Sequence, residues 1–312
     1  MSTATARRPA DRALPSTTPS TTPSTPVVAD DLDGLPVRDP EPGGELLPGY
    51  TALDRLGVGQ RCETWLAWSA ELWHPVVLKL PRLHQLDHPR ARASLRREAV
   101  ALFDGHPVLP RLVADGADEP VPYVAVELLS GECLADLVED GPRPGHEVAS
   151  LGAQLLAGLR HLHRRGLAHL DVKTENVLLV GSGGTGVPRL VDLGSARSIG
   201  REQPPGKPVG TLGYAAPEME ACAPLSAAMD LYGLGTVLAE LLTGLPFPDG
   251  AGAAVAGLDD PVAAVVLRLL DDDPGERGRS DEVLVALAAL AGDLRPWPEW
   301  ADDLLVRAGA PA

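Results

Sequence analysis

The stretch His169-Leu170-Asp171-Val172-Lys173-Thr174-Glu175-Asn176, running into Val177-Leu178-Leu179, decides how the rest of this chain is read. Before it lies a helical pattern with Val148, Leu151, Leu155, Leu159 and Leu162 on one face; after it comes a strand-like run. A structural loop rarely needs Asp, Lys and Asn at these offsets. A phosphoryl-transfer site does. A carboxylate receives the nucleophile's proton, a cation stands by the moving phosphoryl group, and an amide oxygen faces a metal. Further on, Arg189-Leu190-Val191-Asp192-Leu193-Gly194 sets a second carboxylate at a strand end against a glycine. Such an Asp suits Mg²⁺, which takes carboxylates together with phosphate oxygens. Read alone, it is equally a turn residue.

Upstream, Leu56-Gly57-Val58-Gly59-Gln60-Arg61-Cys62 follows a strand-like run, and its glycines let backbone N–H groups approach phosphate oxygens. By itself the fragment also fits an ordinary hairpin turn. Lys79 ends the apolar run Val76-Val77-Leu78 and is either a snorkelling surface residue or a phosphate-binding cation. The second role needs a carboxylate to hold it, and Glu98 is the candidate, on a helix expected over Pro89–Phe103. Arg90, Arg92, Arg96 and Arg97 on that helix read as a solvated face.

From Tyr50 to Glu127 short apolar runs alternate with Gly, Pro and Asp, as strands do. From Gly131 the pattern is helical. Ser226–Thr243 is apolar on nearly all sides and predicts a buried helix, and two more fit Pro261–Leu270 and Ser280–Leu290. A β-rich lobe followed by an α-rich lobe predicts a ligand cleft between them.

Composition excludes several classes. Across 312 residues, Lys+Arg 27 against Asp+Glu 43 gives a net charge of −16. That balance excludes a nucleic-acid surface and a polybasic membrane patch. Cys62, Cys133 and Cys222 cannot all pair and show no metal-ligand spacing, which fits a reducing cytosol. No signal-peptide run opens the chain, and the longest apolar stretch, Leu225–Phe247, is broken by Asp230 and Glu240. A cytoplasmic protein without a membrane segment is expected. Residues 1–47, first Ser/Thr/Pro-rich and then acidic, read as a disordered tail, the folded domain as 48–292, and 293–312 as a short C-terminal tail.

Taken in order, these residues resemble the eukaryotic-type protein kinases, in the style of bacterial, actinobacteria-like serine/threonine kinases. The resemblance runs from Tyr50 to Leu290. It is carried by Gly57-x-Gly59, Lys79, Glu98, His169-x-Asp171-x-Lys173-x-x-Asn176, Asp192-x-Gly194, Gly210-Thr211, Ala216-Pro217-Glu218, Asp230 and Arg277. It implies an α+β, bilobal fold with an N-lobe over 48–128 and a C-lobe over 129–292. It implies transfer of the γ-phosphoryl group of ATP, with Mg²⁺ or Mn²⁺, to Ser or Thr hydroxyls of protein substrates, the chain itself included. Asp171 and Lys173 are then the catalytic pair, and Asn176 and Asp192 the metal ligands. Leu56, Gly57, Val58, Gly59, Thr64, Val77, Lys79, Glu98, Val126, Glu127, Leu129 and Leu178 surround the nucleotide. Glu127 to Leu129 match the hinge, and Leu102, Leu112, His169 and Leu193 fall where the family stacks its regulatory spine. Glu218 resembles the acid that pairs with Arg277, and Asp230 the one that braces the catalytic loop.

The chain departs from the family pattern in several places. Cys62 replaces the third glycine and Thr64 the valine over adenine. Leu193 replaces Phe, and Thr174 replaces a proline. Cys62 reads either as a thiol in an exposed lid, activated by Arg61, or as an unreactive cysteine filling a glycine position. Leu170 replaces the arginine that meets an activation-segment phosphate, so independence from such phosphorylation is expected, with the like-charge problem removed. Two alternatives compete: a pseudokinase scaffold, favoured by the altered Gly-rich loop, and a small-molecule phosphotransferase, which would lack the peptide-docking Gly-Thr and Ala-Pro-Glu segment found here.

Overall fold

The computed structural model describes residues 37–41, 43–181, 186–206, 208–211, 213–247 and 250–292. The expected tails, apart from residues 37–47, lie outside the described residues.

The first part of the chain is a sheet with one helix. Its strands are β1 (Glu45–Leu47), β2 (Tyr50–Val58), β3 (Cys62–Ser69) and β4 (His74–Pro81). Helix α1 (Pro89–Leu102) follows, then β5 (Leu112–Gly116) and β6 (Tyr123–Glu127). The sheet is six-stranded and antiparallel, in the order β1-β2-β3-β4-β6-β5. Strand period sorts its two faces. Trp65, Ala67, Val76, Leu78, Leu80 and Ala125 form one apolar face, joined by Leu47, Tyr50 and Ala52. Cys62 and Val124 look the other way, onto Leu95 and Ala99 of α1. The helix starts where the sequence says it should: His88 caps it, accepting from the Arg90 N–H at 3.1 Å, and Pro89 fills a first-turn position where its missing N–H costs nothing.

The sheet takes in residues before 48. Besides β1, Arg38, Gly43 and Gly44 bond to it: the Gly43 N–H donates to Ala52 O at 3.0 Å and the Ala52 N–H to Gly44 O at 2.8 Å. Arg38 donates its backbone N–H to the Glu63 carboxylate at 3.2 and 3.3 Å and pairs with it through Nη1 at 3.5 Å; Nη1 also donates to the Pro81 carbonyl. Glu63 has no exposed surface, and its other donor is Trp65 Nε1 at 3.0 Å. Gly, Pro and acidic composition hid this strap, which a few hydrogen bonds and one buried pair hold in place. Removing one partner of a buried pair leaves an uncompensated charge, at a cost of about 3–5 kcal/mol. Arg38→Ala is therefore expected to lower the melting temperature by several degrees, and Arg38→Ala with Glu63→Gln to recover part of the loss. Thermal denaturation of the three proteins checks this.

The second part is mainly helical. It contains β7 (Glu132–Cys133), α2 (Leu134–Glu139), α3 (Gly145–Arg164), β8 (Leu167–Ala168), β9 (Val177–Val180), β10 (Val187–Leu190) and β11 (Arg197–Ser198). Then come α4 (Pro217–Glu220), α5 (Ala227–Thr243), α6 (Ala251–Val255), α7 (Pro261–Leu269) and α8 (Ser280–Leu290). Helix α5 is the buried centre, as its all-round apolar sequence requires, and it stops at Gly244, whose φ of 67° suits glycine. Helix α3 packs on it with Leu155, Leu159 and Leu162 fully buried. Leu102 and Leu193 belong to the same core, with Leu112 packed against it, and His169 is fully buried. Arg277, also fully buried, meets Glu218 in a bidentate pair at 2.6 and 2.8 Å and stacks over the Tyr232 ring at 4.9 Å. Among the described residues no helix is long and apolar enough to cross a membrane.

Candidate active site

Strand register sets the upper half of the site. Thr64 of β3 stands opposite both Gly57 and Lys79, and Val77 opposite Val126. Leu56, Gly57 and Val58 end β2, and the turn after them closes with the Gly59 N–H on Cys62 O at 2.8 Å. Glu127 ends β6, with Leu129 just beyond, and Leu178 lies on β9 opposite Cys133.

Lys79 bridges both parts. Its Nζ is 3.0 Å from Glu98 Oε2 and donates to Asp192 Oδ1 at 2.5 Å. Burial disfavours the ammonium, but Asp192 and then Glu98 outweigh it and raise the lysine's pKa. The same proximity holds the Asp192 carboxyl down to about 2, with the Gly194 N–H at 3.3 Å helping. Burial pushes the Glu98 carboxyl up against the pull of Lys79. Asp192 sits at a φ of 57°, a left-handed conformation that Asp tolerates. A side chain at 194 would crowd this group: a Cβ there would stand 3.1 Å from Ser94 Oγ, 3.2 Å from Asp192 Oδ1 and 3.3 Å from Lys79 Nζ.

The catalytic-loop residues are built onto α5. Asp230 accepts the His169 N–H at 2.8 Å, the Leu170 N–H at 2.7 Å and His163 Nε2 at 2.7 Å. Burial opposes its ionisation; His163, His169 and the amide donors prevail and keep its pKa low. These bonds hold Leu170 at a φ of 68°, a strain of about 1–3 kcal/mol for a residue with a Cβ. Gly233 lets the loop approach, since a Cβ there would be 2.9 Å from Val172 Cβ.

Thr211 Oγ1 donates to Asp171 Oδ1 at 2.6 Å and accepts from Lys173 Nζ at 3.3 Å. Asn176 Nδ2 donates to Asp171 O at 2.8 Å and Oδ2 at 3.3 Å, which leaves its amide oxygen as the atom to offer a cation. Asp192, with its side chain half exposed, supplies a hard carboxylate oxygen. Hard oxygen donors of this kind fit Mg²⁺.

Some contacts left no trace in the sequence. The Glu127 carboxylate accepts the Arg111 N–H at 2.7 Å and pairs with Arg189 of β10, tying the hinge to both halves. Buried Gln203 holds the Val209 N–H at 3.0 Å and the Ala223 carbonyl at 2.8 Å, folding the segment before α4.

One expectation is corrected. Cys62 is not in an exposed lid; it is the first residue of β3, buried against Leu95 and Ala99, and burial pushes its thiol up to about 11 despite Lys79 and Arg61. Thiol alkylation of the native protein is expected to reach Cys222, the least buried cysteine, first, and to spare Cys62 until denaturant is added. Peptide mapping by mass spectrometry after timed alkylation checks the order. Leu170 lies in an apolar cluster with Ala216, Met219 and Leu225. Elsewhere in the segment, Arg97 Nη2 and Arg197 Nη1 both donate to Gly194 O, at 3.2 and 3.1 Å. Burial, then Arg97, Arg201 and Arg61, push Arg197 down to about 10.

Comparison with known proteins agrees with this geometry. Residues 50–277 match the protein kinase domain. Over 285 residues the chain is 31% identical to the probable serine/threonine-protein kinase PkwA of Thermomonospora curvata, covering 86% of this chain and 37% of that one. It is 30% identical to PknB of Mycobacterium leprae over 77% of this chain and 38% of that one. It is also 30% identical to PknL of Mycobacterium tuberculosis, over 74% and 59%. The chain thus spans less than two thirds of the length of these curated relatives. With a domain match over most of its length, this chain belongs to the protein kinase family.

Proposed function

We propose that this chain is an ATP-dependent serine/threonine protein kinase. One observation carries the reading: Lys79 contacts Glu98 and Asp192 together, while Asp171, Lys173, Asn176 and Thr211 form one hydrogen-bonded group. Two halves of a phosphoryl-transfer site are thereby assembled at once. The names of the relatives support protein acceptors, as does the bond from Thr211 to Asp171, which belongs to the segment leading into α4.

Each residue then has a task. Lys79 grips the α- and β-phosphates, and Glu98 keeps it extended. Leu56 to Gly59 cover the phosphates, and Thr64, Val77, Val126, Glu127, Leu129 and Leu178 surround the base. Asp192 and Asn176 would hold Mg²⁺, which supplies neutralisation of the phosphate charge. Asp171 receives the proton of the acceptor hydroxyl, and Lys173 meets the charge developing on the transferred group. The free cysteines suit a reducing, cytoplasmic setting.

The test is γ-labelled ATP with Mg²⁺, offered with a histone and, separately, with small-molecule alcohols and amines. Label on Ser or Thr of protein is expected. Label on small molecules alone, or on nothing, would overturn the reading.

A further inference from the structure

Glu240 interrupts the most apolar helix of the chain and is 1% exposed. Its Oε2 accepts from Thr174 Oγ1 at 2.7 Å. Its Oε1 accepts from the Tyr214 hydroxyl at 3.1 Å and from the Phe247 N–H at 2.7 Å. No ion pair reaches Glu240 among the described residues, so these donors are what makes a buried carboxylate tolerable there.

The donors come from three places that matter to transfer. Thr174 follows Lys173 in the catalytic loop. Tyr214 lies in the segment that begins at Thr211, whose hydroxyl is 2.6 Å from Asp171. Phe247 packs its ring near Tyr214 and Tyr232, at 6.3 and 6.1 Å. Loop and segment are thus joined at two places, at Thr211, which bonds to Asp171 and Lys173, and through Glu240. The second joint closes because residue 174 carries a hydroxyl, which a proline would lack. None of Lys79, Glu98 or Asp192 bonds to this group.

We propose that Thr174 is a positioning residue for the protein acceptor, acting through Glu240. Their hydrogen bond fixes the segment around Tyr214 relative to Asp171, and so sets how an acceptor hydroxyl is presented, without touching nucleotide. This rests on the serine/threonine transfer reading above. Glu175, whose Oε2 is 3.4 Å from Thr174 Oγ1, stays at the edge of the group.

The experiment uses the full chain with Mg²⁺ and ATP, a histone as acceptor, and Thr174→Val, which keeps the shape and deletes the donor. The KM for histone is expected to rise about tenfold, the scale of a lost hydrogen bond to a charged group. The KM for ATP and the slow hydrolysis of ATP without histone should not move, and Thr174→Ser should restore the histone KM. Tyr214→Phe, which cuts the other arm, should give the same pattern. An unchanged histone KM in Thr174→Val overturns the proposal. So does a parallel rise in the KM for ATP, which marks general loosening, and so does failure of Thr174→Ser to restore. If the parent protein phosphorylates neither histone nor itself, the kinase reading fails first and the proposal falls with it.

Discussion

Asp171→Asn is expected to reduce phosphoryl transfer by about 10²–10⁴-fold while the fold and nucleotide affinity persist. The side chain keeps its volume, and Thr211 Oγ1, 2.6 Å from Asp171 Oδ1, retains an amide oxygen to donate to. What is lost is the carboxylate proposed to receive the acceptor's proton. The Asn176 bond to the Asp171 carbonyl, at 2.8 Å, is untouched, so the loop stays closed. Initial rates on a protein acceptor, with nucleotide titration and thermal denaturation alongside, measure the three properties separately. A variant with parental turnover would remove Asp171 from the role of base.

The second large effect belongs to Asp192. Asp192→Ala deletes the hard oxygen proposed to hold Mg²⁺ and the 2.5 Å partner of Lys79. It also sets an alanine at a φ of 57°, with a strain of about 1–2 kcal/mol. Asp192→Asn is the cleaner variant, because Asn tolerates that backbone as Asp does. Both are expected to abolish the Mg²⁺-dependent part of ATP affinity in titration calorimetry. Lys79→Met, by contrast, should impair transfer more than binding, since the role proposed for Lys79 is to position phosphates and not to ligate the metal. Unchanged Mg·ATP affinity in Asp192→Asn would end the metal assignment.

How much of this was legible in the sequence depends on the range of the interactions. Ser280–Leu290 and the buried helix ending at Thr243 could be read because helical period and a terminal glycine are local signals. Lys79 and Glu98 could be paired because a lysine ending an apolar strand needs a carboxylate, and the next helix offered one. The strap through Arg38, Gly43 and Gly44 was not legible, since its composition is that of a linker and its one side-chain hold is Arg38 on a distant buried Glu63. Cys62 was misread because a residue next to a glycine-rich turn looks like lid, although the two-residue period of β3 places it under α1. Glu240 was read only as a break in an apolar run. Its partners at 174, 214 and 247 are distant in the chain, and no local pattern links them.

The central claim is transfer from ATP to a protein hydroxyl by the group around Asp171. Phosphoamino-acid analysis tests it most directly, after the purified parent and Asp171→Asn have each been incubated with γ-labelled ATP, Mg²⁺ and histone. The account requires phosphoserine or phosphothreonine from the parent, and at most a trace from the variant at equal nucleotide occupancy. Label that is absent from the parent's protein hydroxyls, or equal in both proteins, would contradict it.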